Sequence, residues 1–422
     1  MRFARVVLLA MLAAALVALP TMAATARAGS SHGAVTITFW HAYAENASAP
    51  EMQRLNKIVI PRFEKLNPGI KVQQVPFSWS NLQQKLTTSV AGGSLPDVVR
   101  ADLAWVPQYA KLRAFAPLDV ELPGFKTLAK SVYKGSLATN YYKGHYYGLP
   151  LDTNTRVLMY NMAALASAGI TSPPRTFADL RVDAPKLKAK GIDMFADSGS
   201  GGWNVLPWIW SGGGTLTNKT YTKATGFLNG PKTVAAIQLL VDLYKAGSIP
   251  SLMTGDTGAT TTEDGLATGK YATILDGPWM FPIFAKAYPS FKLQTGLVPA
   301  GPGGSVSVVG GEDIVMSESS KHKAAAEAFI RFMLSPWVQT QMAHAGQMPV
   351  RPDVSKQLTK INAYFGIFAK QLQTARPRTP SPNWSQIDSV LSNAVATAMK
   401  GSESTQQALD DAAHQIDALL NG

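Results

Sequence analysis

The chain has 422 residues, of which 46% are hydrophobic and 16% are charged, so it can bury a large core and is long enough for two lobes. It contains no cysteine, which excludes disulfides, thiolate metal sites, a cysteine nucleophile and a lipid anchor on an N-terminal cysteine. Its formal net charge is +12, but the basic residues are scattered along the chain, which argues against nucleic-acid binding.

The first 28 residues have the composition of an export signal. Arg2 and Arg5 precede an apolar run from Val6 to Leu19, and a small-residue region ends in Ala26-Arg27-Ala28. We expect cleavage after Ala28, which removes three arginines and lowers the net charge to 12 − 3 = +9. The apolar run is shorter than the ~18 residues that a membrane-spanning helix needs. The sequence therefore predicts an exported protein of the periplasm or the extracellular cell-surface space.

Strands and helices alternate after the signal. Residues Val35 to Trp40 alternate between apolar and polar side chains, which predicts a strand. A loop from His41 to Asn46 leads to a helix that ends at Leu66, and Asn67-Pro68-Gly69 forms a turn before a second strand from Ile70. Because strand, helix and strand follow one another within about forty residues, the two strands are predicted to be parallel.

The same rhythm continues along the chain. Asn81 to Val90 is a predicted helix, and Pro96 to Val99 is the next predicted strand. Three later segments have the apolar spacing of amphipathic helices, namely Lys323–Leu334, Ser385–Lys400 and Thr405–Leu420. Since no repeat and no low-complexity linker separates these elements, the sequence predicts an α/β protein whose chain crosses between two lobes more than once.

The sequence contains no complete motif of a known catalytic site. There is no G-x-S-x-G or H-E-x-x-H motif, and the six histidines lack metal-ligand spacing. Gly265 to Lys270 has three residues between its glycines rather than the four of a phosphate loop, and Tyr271 stands where Ser or Thr would bind magnesium. Glu312 and Asp313 are adjacent, whereas glycosidase carboxylates face each other across a bond. We therefore predict no catalytic residue, no metal and no cofactor.

Nine tryptophans supply candidate platforms for a sugar, whose flat C–H faces stack on aromatic rings. Trp40, Trp203 and Trp279 lie in loop settings, where binding groups concentrate. Trp337 lies next to a helix end and is interpreted as a packing residue. These features favour recognition of a small polar ligand, with a secreted hydrolase or lyase and a cell-surface adhesin as alternatives.

Several segments resemble the extracellular solute-binding proteins of carbohydrate ABC importers, the family that contains maltose-, trehalose- and glycerol-phosphate-binding proteins. The similar segments follow one another along nearly the whole chain after the signal. They are residues 37–40, 63–72, 93–99, 147–150, 269–272, 277–279 and 320–330. Each segment alone is weak, but their order and spacing together identify the chain as similar to this family.

The resemblance implies an α/β, two-lobed periplasmic-binding-protein fold, with several hinge strands that cross between the lobes and a ligand cleft between them. It assigns residues 34–148 and 300–346 to the first lobe and residues 149–299 and 347–422 to the second. The crossings are expected near residues 149–153, 296–300 and 347–352. Ligand closes the cleft, and the membrane permease subunits recognise the closed form. We expect a monomer without a nucleic-acid partner.

The resemblance also implies the ligand-binding positions. Asp102 and Asp152 are the candidate acids for sugar hydroxyls, although Asp102 is alternatively a helix N-cap. Trp279 is the candidate stacking platform, and Gly310 with Gly311 would let the backbone approach the ligand. The other candidates are Trp40, Glu45, Trp203, Glu312 and Arg351. Arg376 and Arg378 are weaker candidates, kept because the alternative to a neutral sugar is a phosphate ester of the glycerol-phosphate type.

Overall fold

The computed structural model describes residues 34–421. The predicted signal at residues 1–28 lies outside the described residues. Within residues 34–421, no helix is long and apolar enough to cross a membrane. Strands and helices alternate through this part of the chain, as predicted, and form two large sheets with separate hydrophobic cores.

The strands pair into two large sheets, a three-stranded sheet and a hairpin. In chain order they are β1 (Val35–His41), β2 (Ile70–Pro76), β3 (Val98–Asp102), β4 (Tyr141–Tyr142), β5 (His145–Tyr146), β6 (Leu149–Pro150), β7 (Asp152–Thr155), β8 (Val157–Tyr160), β9 (Asp193–Ala196), β10 (Tyr271–Asp276), β11 (Gln294–Gly296), β12 (Val309–Gly310), β13 (Glu312–Met316) and β14 (Met348–Pro349).

The first sheet has the strand order β2-β1-β3-β13-β6. β1 pairs in parallel with β2, Val35 facing Ile70, as the sequence predicts. β13 lies antiparallel between β3 and β6. Ile37 and Phe39 pack into a core on one face of the sheet, and Trp40 packs into a different core on the other. Helices therefore cover both faces of this sheet, which explains why successive residues of β1 are buried.

The second sheet has the strand order β11-β8-β10-β9. β10 is antiparallel to β8 and parallel to β9. The hydrophobic core on this sheet includes Trp208 of the helix Gly202–Ser211, which is fully buried. Its ring lies 4.9 Å from that of Phe195 in β9. This core also takes in the last two helices of the described chain.

The helices pack around the two sheets. In chain order they are α1 (Pro50–Arg54), which continues through a π-helical turn (Leu55–Val59) into α2 (Ile60–Leu66), then α3 (Trp79–Gly92), α4 (Val106–Lys111), α5 (Leu118–Glu121), α6 (Phe125–Lys130), α7 (Lys134–Ala138), α8 (Met162–Ser167), α9 (Phe177–Lys188), α10 (Gly202–Ser211), α11 (Pro231–Lys245), a 3₁₀ turn (Ser251–Thr254), α12 (Thr262–Thr268), α13 (Met280–Ala287), α14 (Lys323–Met333), α15 (Pro336–Ala343), α16 (Pro352–Ser355), α17 (Leu358–Ile361), α18 (Phe365–Leu372), α19 (Trp384–Lys400) and α20 (Thr405–Asn421).

The predicted helices are confirmed at α3, α14, α19 and α20, with boundaries shifted by at most two residues. Gly401 follows α19 with φ of +76°, a conformation that glycine adopts without steric cost and that ends helices. The apolar stripe of α19, including Ile387, Leu391 and Val395, is fully buried in the second core. Periodicity therefore located these helices because one face of each is buried.

Three strands connect the two lobes. β7 pairs with β12 on one side and with β14 on the other, and these three crossing strands form a small sheet of their own. β7 links the first sheet to the second, β12 leads back to β13 of the first sheet, and β14 precedes α16 to α18. The chain thus has two lobes and a hinge of several crossing strands.

We propose a different position for the middle crossing, which the resemblance places near residues 296–300. Val306 and Val308 pack into the core of the second sheet, and Gly303 donates a backbone hydrogen bond to the Ser211 carbonyl of α10 at 2.7 Å. Because residues 300–308 pack with the second lobe, we propose that the chain returns to the first lobe at β12. The first lobe then comprises residues 34–150 and 311–347, rather than a second segment starting at 300.

Candidate functional site

A cavity of about 980 Å³ lies between the two lobes, beside the crossing strands. Its wall on the first-lobe side comes from the loop after β1, the start of α1, residues 79–88 of α3 and the start of α4. Its wall on the second-lobe side comes from the starts of α10, α13 and α19. The volume is at the upper end of the roughly 300–1,000 Å³ that small-molecule sites occupy.

Five of the nine tryptophans line the cavity, and each lies at the start of a helix. Trp79 and Trp384 are the first residues of α3 and α19. Trp105 and Trp279 precede α4 and α13 as their N-cap residues, and Trp203 is the second residue of α10. Helices that begin at the cavity therefore carry aromatic rings to its wall.

These rings form two pairs on opposite sides of the cavity. On the first-lobe side, the ring centroids of Trp79 and Trp105 are 4.9 Å apart at an interplanar angle of 33°. On the second-lobe side, those of Trp203 and Trp279 are 6.2 Å apart at 30°. Trp79 is 40% exposed and Trp105 is 4% exposed, so in the first pair the outer ring has the surface available for a ligand.

The Trp203 ring is fixed by the crossing strand below it. A Cβ atom on Gly310 would lie 2.7 Å from this ring and would overlap Asn154 Oδ1, so only glycine permits the close approach. The guanidinium carbon of Arg156 lies 5.5 Å from the ring centroid, and Arg156 is itself held by hydrogen bonds of 2.8 and 2.7 Å to Asp197. Close packing and these hydrogen bonds therefore hold the Trp203 ring in position.

A buried arginine lies at the hinge end of the cavity. Arg100 of β3 is 4% exposed and donates to Asp152 Oδ2 from Nε at 3.1 Å and from Nη2 at 3.0 Å. It also pairs with Glu312 and donates to Gln347 Oε1 at 3.2 Å. The Tyr43 ring covers the guanidinium, with 4.1 Å between the arginine Cζ and the ring centroid.

A second arginine bridges the two lobes. Arg378 Nη2 donates to Asp102 Oδ1 at 2.6 Å, and the same oxygen accepts the Ala104 N–H at 2.6 Å. The Arg378 guanidinium carbon also lies 5.9 Å from the centroid of the Trp203 ring. Asp102 belongs to β3 and Arg378 to the segment before α19, so this ion pair links the lobes across the cavity.

Hydrogen bonds through Ser385 connect the two walls of the cavity. Ser385 of α19 accepts a hydrogen bond from Gln83 Nε2 at 2.7 Å and donates one to Gln108 Oε1 at 2.9 Å. Gln83 lies on α3 and Gln108 on α4. The start of α19 is therefore in direct contact with both first-lobe helices that carry the Trp79 and Trp105 rings.

Three acids of the cavity wall have raised pKa values. Burial raises the pKa of Glu312 well above its usual range, and the charge of Asp152 adds to this effect while Arg100 opposes it. Burial likewise raises the pKa of Glu51 and of Asp388. A raised pKa favours the protonated carboxyl group, which can donate as well as accept a hydrogen bond.

Six of the ten residues predicted as ligand contacts line the cavity, and four do not. The six are Asp102, Trp203, Trp279, Gly310, Gly311 and Glu312. The first and last of these have partners already, in Arg378 and Arg100. Asp102 accepts the N–H of Ala104, two residues on, rather than capping α4, whose N-cap is Trp105. The structure thus brings together residues from distant parts of the chain, as a cleft requires.

The first-loop candidates lie away from the cavity. Trp40 is 8% exposed and packs edge-to-face against Phe77, with 5.2 Å between ring centroids, because β1 is covered on both faces. The side chain of Glu45 is exposed to solvent. The first loop does reach the cavity, but through Tyr43 and its alanine neighbours.

Two charged candidates also lie outside the cavity wall. Asp152 is buried and does not line the cavity, but it forms an ion pair with Arg100, which does. Arg351 forms an ion pair with Asp353 at 2.7 Å and donates to the Leu334 carbonyl at 3.2 Å, on the far side of β14. Neither side chain is placed to contact a ligand directly.

Sequence reasoning missed several residues of the cavity wall. Arg100 is the most informative of them, because a charged residue inside the apolar run of a buried strand is a signal of a buried ion pair. Tyr43, Gln347 and Trp384 gave no comparable signal, since each enters the cavity only through tertiary packing.

The adjacent acids diverge as expected for neighbouring residues of a strand. Glu312 contacts Arg100, whereas Asp313 points to the other face of β13 and accepts from Asn140 Nδ2 at 2.8 Å. Among the described residues, no group of three or more acids or histidines is arranged to hold a metal ion. Glu312 and Asp313 therefore do not form a facing carboxylate pair.

Comparisons with known proteins agree with this geometry. A family model described as bacterial extracellular solute-binding protein matches residues 46–340. A putative binding protein of Brucella abortus is 27% identical over 372 residues, which covers 85% of this chain and 88% of that protein. The sn-glycerol-3-phosphate-binding periplasmic protein of Yersinia enterocolitica is 26% identical over 426 residues, or 91% and 92% of the two chains. An ABC transporter solute-binding protein from Thermotoga lettingae, bound with α-D-tagatose, has a TM-score of 0.80 at 26% identity and covers 92% of this chain and 100% of its own.

Proposed function

Because the chain belongs to the bacterial extracellular solute-binding proteins, we propose that its cleft captures a neutral sugar or a short oligosaccharide. The protein would then deliver this ligand to the membrane permease subunits of an ABC importer. The aromatic lining of the cavity and its balance of charges support this choice of ligand.

The aromatic lining fits a chain of sugar rings. Each pyranose ring presents a C–H face that stacks on an aromatic platform, and the cavity has a tryptophan pair on each side. A cavity of about 980 Å³ also has room for more than one sugar ring. We therefore propose an oligosaccharide in preference to a monosaccharide.

The charge balance carries the proposal of a neutral ligand. The cavity lining includes two cationic side chains, Arg100 and Arg378, and four acidic ones, Glu51, Asp102, Glu312 and Asp388. Both arginines already have carboxylate partners. A phosphate ester needs converging donors with uncompensated positive charge, whereas sugar hydroxyls can donate to carboxylates and accept from guanidinium groups.

A glycerol-phosphate ligand is the second candidate. The relative from Yersinia is named as an sn-glycerol-3-phosphate-binding protein and covers almost the whole chain. Against it, an anionic ligand would have to compete with the carboxyl partners of both arginines, Asp102 at Arg378 and Asp152 with Glu312 at Arg100. We therefore place the phosphate ester behind the neutral sugar.

The remaining parts of the proposal follow from the family. Its members are binding proteins, and we propose that this chain binds its ligand without turnover, as a monomer exported to the periplasm or the cell-surface space. A secreted carbohydrate-active enzyme is the less favoured alternative, since the matching family is one of binding proteins.

Calorimetry separates these ligands. The wild-type protein is titrated with neutral mono-, di- and oligosaccharides and with sn-glycerol 3-phosphate, each at low and at high salt. We expect at least one neutral oligosaccharide to bind, with an affinity that changes by less than about twofold with salt, because no ligand charge is screened. Tight, salt-sensitive binding of the phosphate ester alone would overturn the proposal, as would release of sugar products during long incubation.

A further inference from the structure

We propose that Arg100 is the positioning residue of the hinge, where it holds the first-lobe ends of the three crossing segments against the sheet of the first lobe. Bending between the lobes would then take place on the second-lobe side of these contacts. The inference deepens the proposed function and rests on it, because it concerns how the binding cleft closes.

One polar group at the first-lobe end of each crossing contacts the same guanidinium. Asp152 is the first residue of β7, Glu312 follows β12 and begins β13, and Gln347 immediately precedes β14. These residues are far apart in sequence, yet all three contact Arg100. Arg100 itself lies in β3, an inner strand of the first sheet. The guanidinium is therefore a common anchor for the three segments that pass between the lobes.

This arrangement differs from an ordinary buried ion pair. Arg156 and Asp197 provide the comparison, because they are equally buried and form two hydrogen bonds of 2.8 and 2.7 Å. The other acceptors of Arg156 are the carbonyl groups of Trp203, Asn204 and Leu275, which belong to second-lobe elements. Arg156 thus contacts elements of the second lobe, whereas Arg100 contacts a residue at the first-lobe end of each crossing.

The charges around Arg100 make this anchor hard to replace. Two carboxyl groups share the one guanidinium, and Gln347 also donates to Glu51 at 3.4 Å, which brings a third acid into the cluster. A buried cation or anion without a partner is costly. The side chains of the three crossings are therefore held together only while the planar, multi-donor guanidinium is present.

The backbone next to the anchored residues permits bending. Gly311 immediately precedes Glu312 and has φ of +133°, a conformation that is open to glycine and rare for other residues. Bending at the glycine pair would leave Glu312 in contact with Arg100. The same cluster faces the cavity through Glu312 and Gln347, so the anchor also fixes two groups of the ligand site.

Hydrogen–deuterium exchange on the full-length mature protein without ligand tests this role. In Arg100→Lys, a lysine can pair with one carboxylate but cannot donate to three partners. We expect exchange in peptides covering residues 151–156, 308–313 and 345–350 to accelerate together, by about tenfold or more. Gln347→Leu removes one contact and is expected to accelerate only the peptide at 345–350.

Arg156→Lys is the matched control, since it makes the same substitution at an equally buried arginine. It is expected to leave the peptide at 345–350 unchanged, so that the three peptides do not accelerate together. Acceleration of a single crossing in Arg100→Lys, or uniform acceleration that includes β1 and β2, would overturn the inference. If Arg100→Lys does not fold, exchange is measured in the same peptides of the double variant Arg100→Gln, Asp152→Asn. This variant removes one carboxylate together with the guanidinium. The readout needs no sugar, so it stands even if the proposed ligand is wrong.

Discussion

Replacing Asp102 tests the ion pair that links the lobes. Asp102→Asn removes the carboxylate that neutralises Arg378, while the asparagine oxygen can still accept the Ala104 N–H. Both charged side chains are 9% exposed, so solvent screens the pair little. Breaking such a pair from one side costs roughly 3–5 kcal/mol. Because a neutral hydrogen bond to Arg378 remains, we expect a loss of unfolding free energy near the lower end, about 2–3 kcal/mol.

The measurement is a double-mutant cycle by urea unfolding with Asp102→Asn, Arg378→Met and the double variant. Asp353→Asn is the control, because it makes the same change at an ion pair whose acid is 53% exposed, where the expected cost is below about 1 kcal/mol. Asp102→Asn also leaves an uncompensated cation in the cavity, so affinity for sn-glycerol 3-phosphate should rise and should weaken with salt. A cost equal to that of the control, or a coupling energy near zero, would refute the reasoning.

Three further substitutions test the cavity and the core. Trp279→Ala should weaken binding of the oligosaccharide found by calorimetry at least about tenfold with the fold intact, because a stacking surface is lost. Gly310→Ala should destabilise the protein by about 1–3 kcal/mol and weaken binding, because its methyl group displaces the Trp203 ring. Asp313→Asn should stabilise the protein by about 1 kcal/mol or more at pH 8, measured by urea unfolding across pH. Burial raises the folded-state pKa of Asp313, so the stability of the wild type falls as pH rises above the unfolded pKa, and the gain should vanish near pH 4.

Each of these substitutions has a control or a contrary outcome. Trp337→Ala removes another half-buried tryptophan, one that packs outside the cavity, and should leave binding unchanged. Gly366→Ala adds a methyl group in α18, where the nearest atom would lie 3.5 Å away, and should not destabilise the fold. A collapse of stability in Trp279→Ala with affinity retained would make that ring a core residue. An unchanged pH profile in Asp313→Asn would contradict the burial argument.

Much of the fold was predictable because apolar residues recur along its elements with the period of a strand or a helix. The alternation at Val35 to Trp40 located β1, and the apolar spacing at Ser385–Lys400 located α19 to within a residue. The middle crossing was harder to place, because residues 300–308 have no regular structure and only their packing assigns them to a lobe. Sequence patterns report burial, but they do not report which of two cores buries a loop.

The candidate site was predictable where a loop residue has a distinctive neighbour and unpredictable elsewhere. Trp203 and Trp279 follow glycine or Gly-Pro at helix starts, and both line the cavity. Trp40 has a similar setting at a strand end but is buried, because its sheet is covered on both faces. Arg378 was only a weak candidate, because its importance depends on Asp102, which lies 276 positions away in the chain.

The position of β13 in the first sheet has a consequence for how the molecule assembles during synthesis. β13 lies between β3 and β6, yet it is made about 200 residues after β3, and such long-range pairing slows folding. A nascent chain that has not reached Met316 leaves the facing edges of β3 and β6 unpaired, and unpaired edges recruit other strands. The first lobe therefore cannot finish folding as an N-terminal fragment, and truncation before β13 should yield aggregates rather than a half-sized binding module.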